Sequence, residues 1–424
     1  MNPPAVRHLK PGTCMVSLLT MSTVHPFAAL KHRNFKLFWM GQLISLTGTW
    51  MHQAAQGWLV YQLTSSPFYL GLAGTAASAP ILMFALAGGV IADRYPRRKI
   101  ILTANVLLMV LVLVLAFLVT AGVVTVWHVL ILAFCIGTVN SLEIPARQSF
   151  IIELVGKEDL LNGIALNSSA FHAARMAGPA IAGFLMGAIG MASCFFLNSL
   201  SFLATIIALV KMQFKAVKSS SPQKSGMRKS FVEGSKYVRS NPTVYILLIS
   251  VGIISFFGFP YISFLPVYAR DILKTGPTGL GILMGCAGAG AFTGAVGLAV
   301  RGSVTRRGIV MVVSGIIFSS ALLVFSLSHA LWLSYAMLFF IGFGALNQIV
   351  NANNLIQLMV PDELRGRVMS FFTTTFLGLA PLGNFTVGSL AHYVGTQHAL
   401  ITSSILCLGG TLAVLWRKPE ILKL

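Results

Sequence analysis

The sequence predicts an all-α integral membrane protein of twelve transmembrane helices, arranged as two pseudo-symmetric six-helix bundles. Three observations predict it. Of the 424 residues, 56% are hydrophobic and only 9% charged, against about 25% charged in a typical soluble domain. The charges are gathered into tracts at 1–36, 93–99, 143–159, 211–239, 301–307, 362–367 and 417–424, which bracket long, nearly charge-free blocks. Finally, Gly, Pro and Trp landmarks of the first half return in the second at a shift of about 205 to 210 residues.

A membrane span needs about 20 apolar residues. Blocks 37–92, 100–142, 160–210, 240–300, 308–361 and 368–416 are each long enough for a helical hairpin, and six hairpins make twelve helices. Ser65-Ser66-Pro67, Ala121-Gly122 and Gly276-Pro277 supply turn signals at one face. Every basic tract then falls on the opposite face, leaving only Arg270 and Lys274, with Asp271, at the turn face. The positive-inside rule makes the basic face cytoplasmic, with both termini there, in the inner (plasma) membrane.

The expected organisation is a cytoplasmic N-terminal segment (1–35), a six-helix bundle (36–210), a cytoplasmic linker (211–240), a second bundle (241–416) and a short tail (417–424). The linker stretch Lys218-Ser219-Ser220-Ser221-Pro222-Gln223-Lys224 is polar and flexible in composition, and Ser230–Ser240 reads as a short surface helix. Residues 1–36 carry no evident cleavable signal, and the patch Val16–Met21 is too short to span. Met21 is an alternative start, because the regular pattern begins only at Pro26.

The repeat is traceable through five helices. Trp58-Leu59-Val60-Tyr61 matches Leu265-Pro266-Val267-Tyr268, and Pro67 with Gly71 matches Pro277 with Gly281. Trp127 and Gly137 match Trp332 and Gly342, while Gly178, Gly183 and Gly190 match Gly383, Gly388 and Gly395. A steady shift of this kind marks a duplication, with the halves related by an axis along the membrane normal.

Between the first two hairpins lies Gly89-x-x-x-Asp93-Arg94-x-x-Arg97-Arg98-Lys99. It resembles the signature loop between the second and third helices of the major facilitator superfamily of secondary transporters, except that Pro96 stands where that family usually has Gly. The stretches Phe35–Trp58, Glu143-Ile144-Pro145-Ala146-Arg147-Gln148 and Ala174-Arg175-Met176-Ala177-Gly178-Pro179 narrow the resemblance. They are similar to the transmembrane secretion effector branch, which holds enterobactin-type siderophore exporters and macrolide efflux pumps. Together the matches run from residue 26 to 416.

The resemblance implies a cytoplasmic latch. Asp93 would cap the start of the eleventh helix near Arg365 and Arg367 and hold the two halves together in the outward-facing state, and Gly89, Arg94, Arg97 and Arg98 would belong to the same gating set. A topogenic cluster that merely holds the loop inside is the alternative. Arg175 is the one charge between Leu160 and Val210. A cation at membrane depth is costly, so it should face a wet cavity, an anionic ligand or a carboxylate such as Glu143. His172, three residues earlier, shares its face. Glu143 is either a buried proton carrier or the partner of Arg147 at i,i+4. His52, Gln53 and Gln56, with Asn347, Gln348 and Asn351, are neutral polar groups at membrane depth that either line a cavity or bond a neighbouring helix. Gly178, Pro179 and Gly183 give close helix packing and a bend, in a Gly-Pro motif resembling that of efflux branches.

Several classes are excluded. The net charge of +20 sits in tracts at helix ends, a topological pattern, so no nucleic acid partner is expected. No phosphate-binding Gly-Lys-Ser/Thr loop or catalytic constellation occurs, so no enzyme activity, catalytic residue or cofactor is expected. The cysteines (Cys14, Cys135, Cys194, Cys286 and Cys407) lack paired spacing, which implies neither disulfides nor a metal site. The expected function is export of small amphipathic molecules, of drug or siderophore type, by a monomer in the lipid bilayer using alternating access. Protons are a candidate co-substrate. An importer or lipid-handling transporter on the same fold, and a non-transporting membrane sensor, are the other readings.

Overall fold

The computed structural model describes residues 27–213, 227–301 and 306–423; the side chain of Asp93 lies outside the described residues, as do 1–26 and the linker stretch 214–226. The regular structure among the described residues is helical. The long helices are α1 (Arg33–Thr64), α2 (Pro67–Arg94), α3 (Arg97–Thr120), α4 (Val126–Val155), α5 (Leu160–Ala188) and α6 (Ala192–Lys211). After α7 (Met227–Ser240) come α8 (Pro242–Ile272), α9 (Gly276–Arg301), α10 (Arg307–Leu327), α11 (Leu331–Met359), α12 (Asp362–Val394) and α13 (Thr396–Arg417).

Helix ends follow local chemistry. Pro96 precedes α3, where its missing N–H leaves nothing unpaired. Gly156 and Gly395 end α4 and α12 with φ of 72° and 84°, which residues with a Cβ rarely adopt. In α8, which contains Pro260 and Pro266, two π-helical turns at Ile254–Gly258 and Tyr268–Ile272 re-pair the backbone.

Ten of these helices are long and apolar enough to cross a membrane: α2–α4, α6 and α8–α13. Helices α1 and α5, of 32 and 29 residues, have the length but are diluted by polar side chains. In α1 those polar groups include Thr49, His52, Gln53 and Gln56, which face an internal cavity. Large apolar side chains elsewhere face outward: Phe117, Phe184 and Leu200 are each more than half exposed. Trp127, Trp332 and Trp416, near helix ends, are 60, 73 and 84% exposed, as aromatic anchors at a membrane surface are. This is a multi-pass membrane protein. Helix α7 begins three residues before the expected surface helix, and its Glu233 pairs with Arg367 of α12.

Helices α1–α6 pack on one another, chiefly as α1 with α5 and α6, α2 with α4, and α3 with α4 and α6. Helices α8–α13 do likewise, through α11 with α9 and α10 and α13 with α10. The two sets meet where α5 packs on α9 and α2 on α12. We call the end bearing the turns at 65–66, 273–275 and 328–330 distal, and the end with 95–96, 156–159 and 360–361 proximal. The apolar core is continuous across both sets at the distal end and the middle, from Leu59 and Leu115 to Phe264 and Phe325. Toward the proximal end it divides: Phe35, Phe38 and Phe150 belong to one core, and Leu247, Ile356 and Phe372 to another.

A central cavity closed at the distal end

Two glycine contacts close the distal end. A Cβ built on Gly71 of α2 would lie 2.8 Å from Gly388 Cα of α12, and one on Gly183 of α5 would lie 2.8 Å from Gly281 Cα of α9. Backbones can approach that closely only where both residues lack a side chain. The sequence repeat maps Gly71 onto Gly281 and Gly183 onto Gly388, so each contact is the repeat-related image of the other. Thr278 Oγ1 donates to Gly183 O at 3.3 Å and Thr75 Oγ1 to Pro381 O at 3.0 Å beside them. At the rim, Tyr61 donates its hydroxyl to Asp271, and Arg270 donates to Tyr61 O (3.2 Å) and Ser65 Oγ (3.1 Å). The Arg270 guanidinium also lies 5.2 Å from the Tyr61 ring centroid.

Beneath this closure lies a cavity of about 320 Å³. Its walls come from α1 (Trp50, His52, Gln53, Gln56), α2 (Leu70 to Ala77), α4 (Asn140, Ile144, Arg147), Phe171 of α5, and Ile262, Ser263, Pro266 and Met284 of the C-terminal set. His52 is buried and shares a 2.8 Å hydrogen bond with Gln56. Trp50 meets Phe171 edge to face at 5.5 Å. Arg147, one wall cation, sits about 12 Å from the proximal end of α4 at 1.5 Å per residue. Its Nε is 3.2 Å from Glu143 Oε1, one helical turn away, and its Nη1 donates to Gln42 at 3.4 Å.

Arg175 occupies an adjoining small cavity lined also by Trp50, Pro179, Tyr261 and Met284. Its guanidinium lies 5.4 Å from the Trp50 ring centroid and shares the small cavity with Tyr261. It thus reaches across from α5 to the C-terminal set at mid-length. The carboxylate alternative fails, because Glu143 is engaged by Arg147. His172 packs its ring on Phe171 and leaves Nδ1 without a partner.

One expectation needs correction. Asn347, Gln348 and Asn351 are buried within the C-terminal set and line neither cavity: Gln348 donates to Ser250 (3.1 Å), Asn347 to Phe343 O and Asn351 to Asn347 O. Amides at membrane depth bond neighbouring hydroxyl and backbone groups as readily as they face a cavity, though Gln348 Oε1 has no partner among the described residues. Gly89 stands in open space; its neighbour Gly88 makes the close approach, against the Ser141 carbonyl. In this distal-closed arrangement Arg365 pairs with Asp362 (2.5 Å) and Arg367 with Glu233, while the side chain of Asp93, their expected latch partner in the outward-facing state, lies outside the described residues. Arg97 likewise pairs with Glu153, and Arg98 donates to Val210 O at 3.3 Å, while Arg94 is exposed. These proximal ion pairs lie within α1–α6, within α12, or join α12 to α7. Gly178 and Pro179 are buried, Gly178 against Thr47 O and Trp50 of α1. The described cysteines, Cys135, Cys194, Cys286 and Cys407, are free thiols.

The distal rim was not singled out from sequence as a contact. Its one trace is that Arg270, Asp271 and Lys274 are the charges left at that face. No local pattern announces that Tyr61, some 210 residues away, receives them.

An interior, largely apolar cavity with a few polar groups, set between two helical sets and shut at one end by repeat-related contacts, defines a membrane transporter. The chain matches the transmembrane secretion effector family over residues 24–421 and belongs to it, within the major facilitator superfamily. It is 24% identical to the staphyloferrin A transporter of Staphylococcus aureus over 371 residues, covering 85% of this chain and 90% of that protein. It is 25% identical to the multidrug efflux pump Tap of Mycolicibacterium fortuitum (84% and 89% covered) and 23% identical to macrolide efflux protein A of Streptococcus pyogenes (89% and 95%). Solved structures share the fold at 13% identity. A bacterial homologue of the human lysosomal transporter Spinster, inward-facing and unoccupied, superposes with a TM-score of 0.70 over 92% of this chain and 98% of its own. A peptide-conjugate complex of a POT family transporter gives 0.75 over 92% and 96%.

Proposed function

We propose that this protein is a secondary exporter of small amphipathic molecules in the plasma membrane, working by alternating access. Twelve helices span: the ten most apolar ones with α1 and α5, whose cavity faces make them more polar. The units 36–210 and 241–416 rock against each other about the central cavity, and both termini are cytoplasmic. The carrying observation is the divided core, continuous across the sets distally and split proximally. With basic tracts marking the proximal end as cytoplasmic, this arrangement is the inward-facing one, loading from inside. The efflux proteins among the relatives support the direction. Arg175 and the Arg147–Glu143 pair are the coupling candidates, protons the candidate counter-substrate, and Asp93 the candidate latch of the outward-facing state.

The test is accumulation of a macrolide, a cationic dye and a siderophore in cells with and without the protein. Export lowers accumulation of at least one in expressing cells. Equal accumulation of all three contradicts the reading, and higher accumulation replaces it with import.

A further inference from the structure

We propose that the molecule carried in the central cavity bears an anionic group, a carboxylate or similar oxyanion, that docks on Arg147. The inference rests on the reading of that cavity as the substrate site and names the class of substrate.

Among the described residues, the cavity wall contains Arg147 but no acid. Glu143, the nearby carboxylate, is buried behind it and meets the guanidinium through one contact, Nε to Oε1 at 3.2 Å. The bond to Gln42 is long, at 3.4 Å. A guanidinium has five N–H donors in a planar fork, and these two contacts leave the rest of the fork for a ligand in the cavity. A carboxylate matches such a fork with two parallel bonds, in a way an alcohol or amine does not.

The second cation strengthens the sign. Arg175 lies behind Trp50 in the adjoining cavity and, among the described residues, has the Trp50 ring and Tyr261 as neighbours but no carboxylate ion pair. Glu143 offsets one guanidinium, so the site keeps a positive field. His52, Gln56 and Asn140 add neutral polar groups, while Trp50, Phe171 and Ile144 accept the apolar body. Among the described residues, an ammonium group entering here finds no free carboxylate.

The test uses two probes that share one body, dansyl-γ-aminobutyrate (carboxylate) and dansylcadaverine (ammonium). Both are titrated by dansyl fluorescence against the purified protein in phosphatidylcholine nanodiscs, which present no anionic lipid to compete. The carboxylate probe should bind at least about tenfold tighter, and Arg147→Gln should remove that preference, as loss of a bidentate charged pair does. Arg147→Lys should keep the sign at lower affinity, because the charge stays and the fork is lost. Glu143→Gln, which removes the competitor for Arg147, should tighten carboxylate binding, an effect that a purely structural ion pair would not give. If Arg147→Gln alone misfolds, the double variant with Glu143→Gln leaves no stranded acid and takes its place.

Equal or tighter binding of the ammonium probe overturns the proposal, as does a preference that survives loss of Arg147 or weak binding of both probes. Proteoliposome transport separates the two levels. Carboxylate binding without transport of either probe defeats the transport reading and leaves the anion site, while transport of the ammonium probe alone does the reverse.

Discussion

Replacing Gly183 by Ala should push the protein out of its distal-closed state. The added Cβ would lie 2.8 Å from Gly281 Cα, 2.9 Å from Pro277 O and 3.0 Å from Thr278 O. All three are backbone atoms, so no side chain can rotate aside, and α5 and α9 must part. Overpacking of this kind costs about 1–3 kcal/mol. If opening relieves it, the closed-to-open ratio falls by about 5- to 150-fold, at 1.36 kcal/mol per tenfold. The reporter is Gln53→Cys on the cavity wall, in a background with the five native cysteines replaced. A membrane-impermeant thiol reagent applied from the distal side reaches it only through an open rim, so its labelling rate should rise by that factor. Gly409→Ala is the control, since a Cβ there meets nothing within 4 Å. A rate in Gly183→Ala equal to that of the control, in a folded protein, would refute the idea that glycine contact sets the closure.

Other outcomes follow from the same geometry. Tyr61→Phe keeps the ring beneath Arg270 but removes the hydroxyl bound to Asp271. Because Asp271 is 48% exposed, the loss is at most about 1 kcal/mol, and distal labelling should rise no more than about fivefold. Arg175→Gln should leave melting nearly unchanged and abolish transport in proteoliposomes; it strands no acid, since Glu143 is held by Arg147. A large fall in melting temperature would make Arg175 structural instead. At the proximal end, hydrogen bonds from Lys31 and then His32 hold the Asp159 carboxyl below its ordinary pKa. A depressed pKa contributes stability above the unfolded-state value of about 4 and loses it as pH falls through the folded one. Hydrogen exchange at Ala28–Lys31, corrected for intrinsic rate, should therefore quicken toward pH 3, and Asp159→Asn should remove that dependence.

The helix boundaries were legible because charge and turn chemistry coincide: Arg97 opens α3 after Pro96, Lys211 closes α6, and Asp362 opens α12. Part of the cavity was legible too. His52, Gln53 and Gln56 recur at helical spacing, and the structure puts all three on one wall. Glu143 and Arg147 were readable as an i,i+4 pair, though spacing left the proton-carrier alternative open. Asn347, Gln348 and Asn351 looked equivalent to the α1 group but turn into their own set, a choice made by packing against Ser250 and Phe343. The distal rim was illegible for a different reason: Tyr61 and Asp271 meet only because two distant helices are already docked. The inner latch drew on family resemblance, whereas here Asp362 and Glu233 satisfy Arg365 and Arg367 in the distal-closed arrangement.

Rocking about the central cavity is tested most directly by paired distances at the two ends, measured by double electron–electron resonance. One spin-label pair joins Val123 to His329 at the distal end and another joins Tyr95 to Leu358 at the proximal end, each spanning the two sets. Alternating access predicts reciprocal change: on passing from the parent chain to Gly183→Ala, the distal distance lengthens as the proximal one shortens. Distal lengthening at a fixed proximal distance, or both lengthening together, would contradict it.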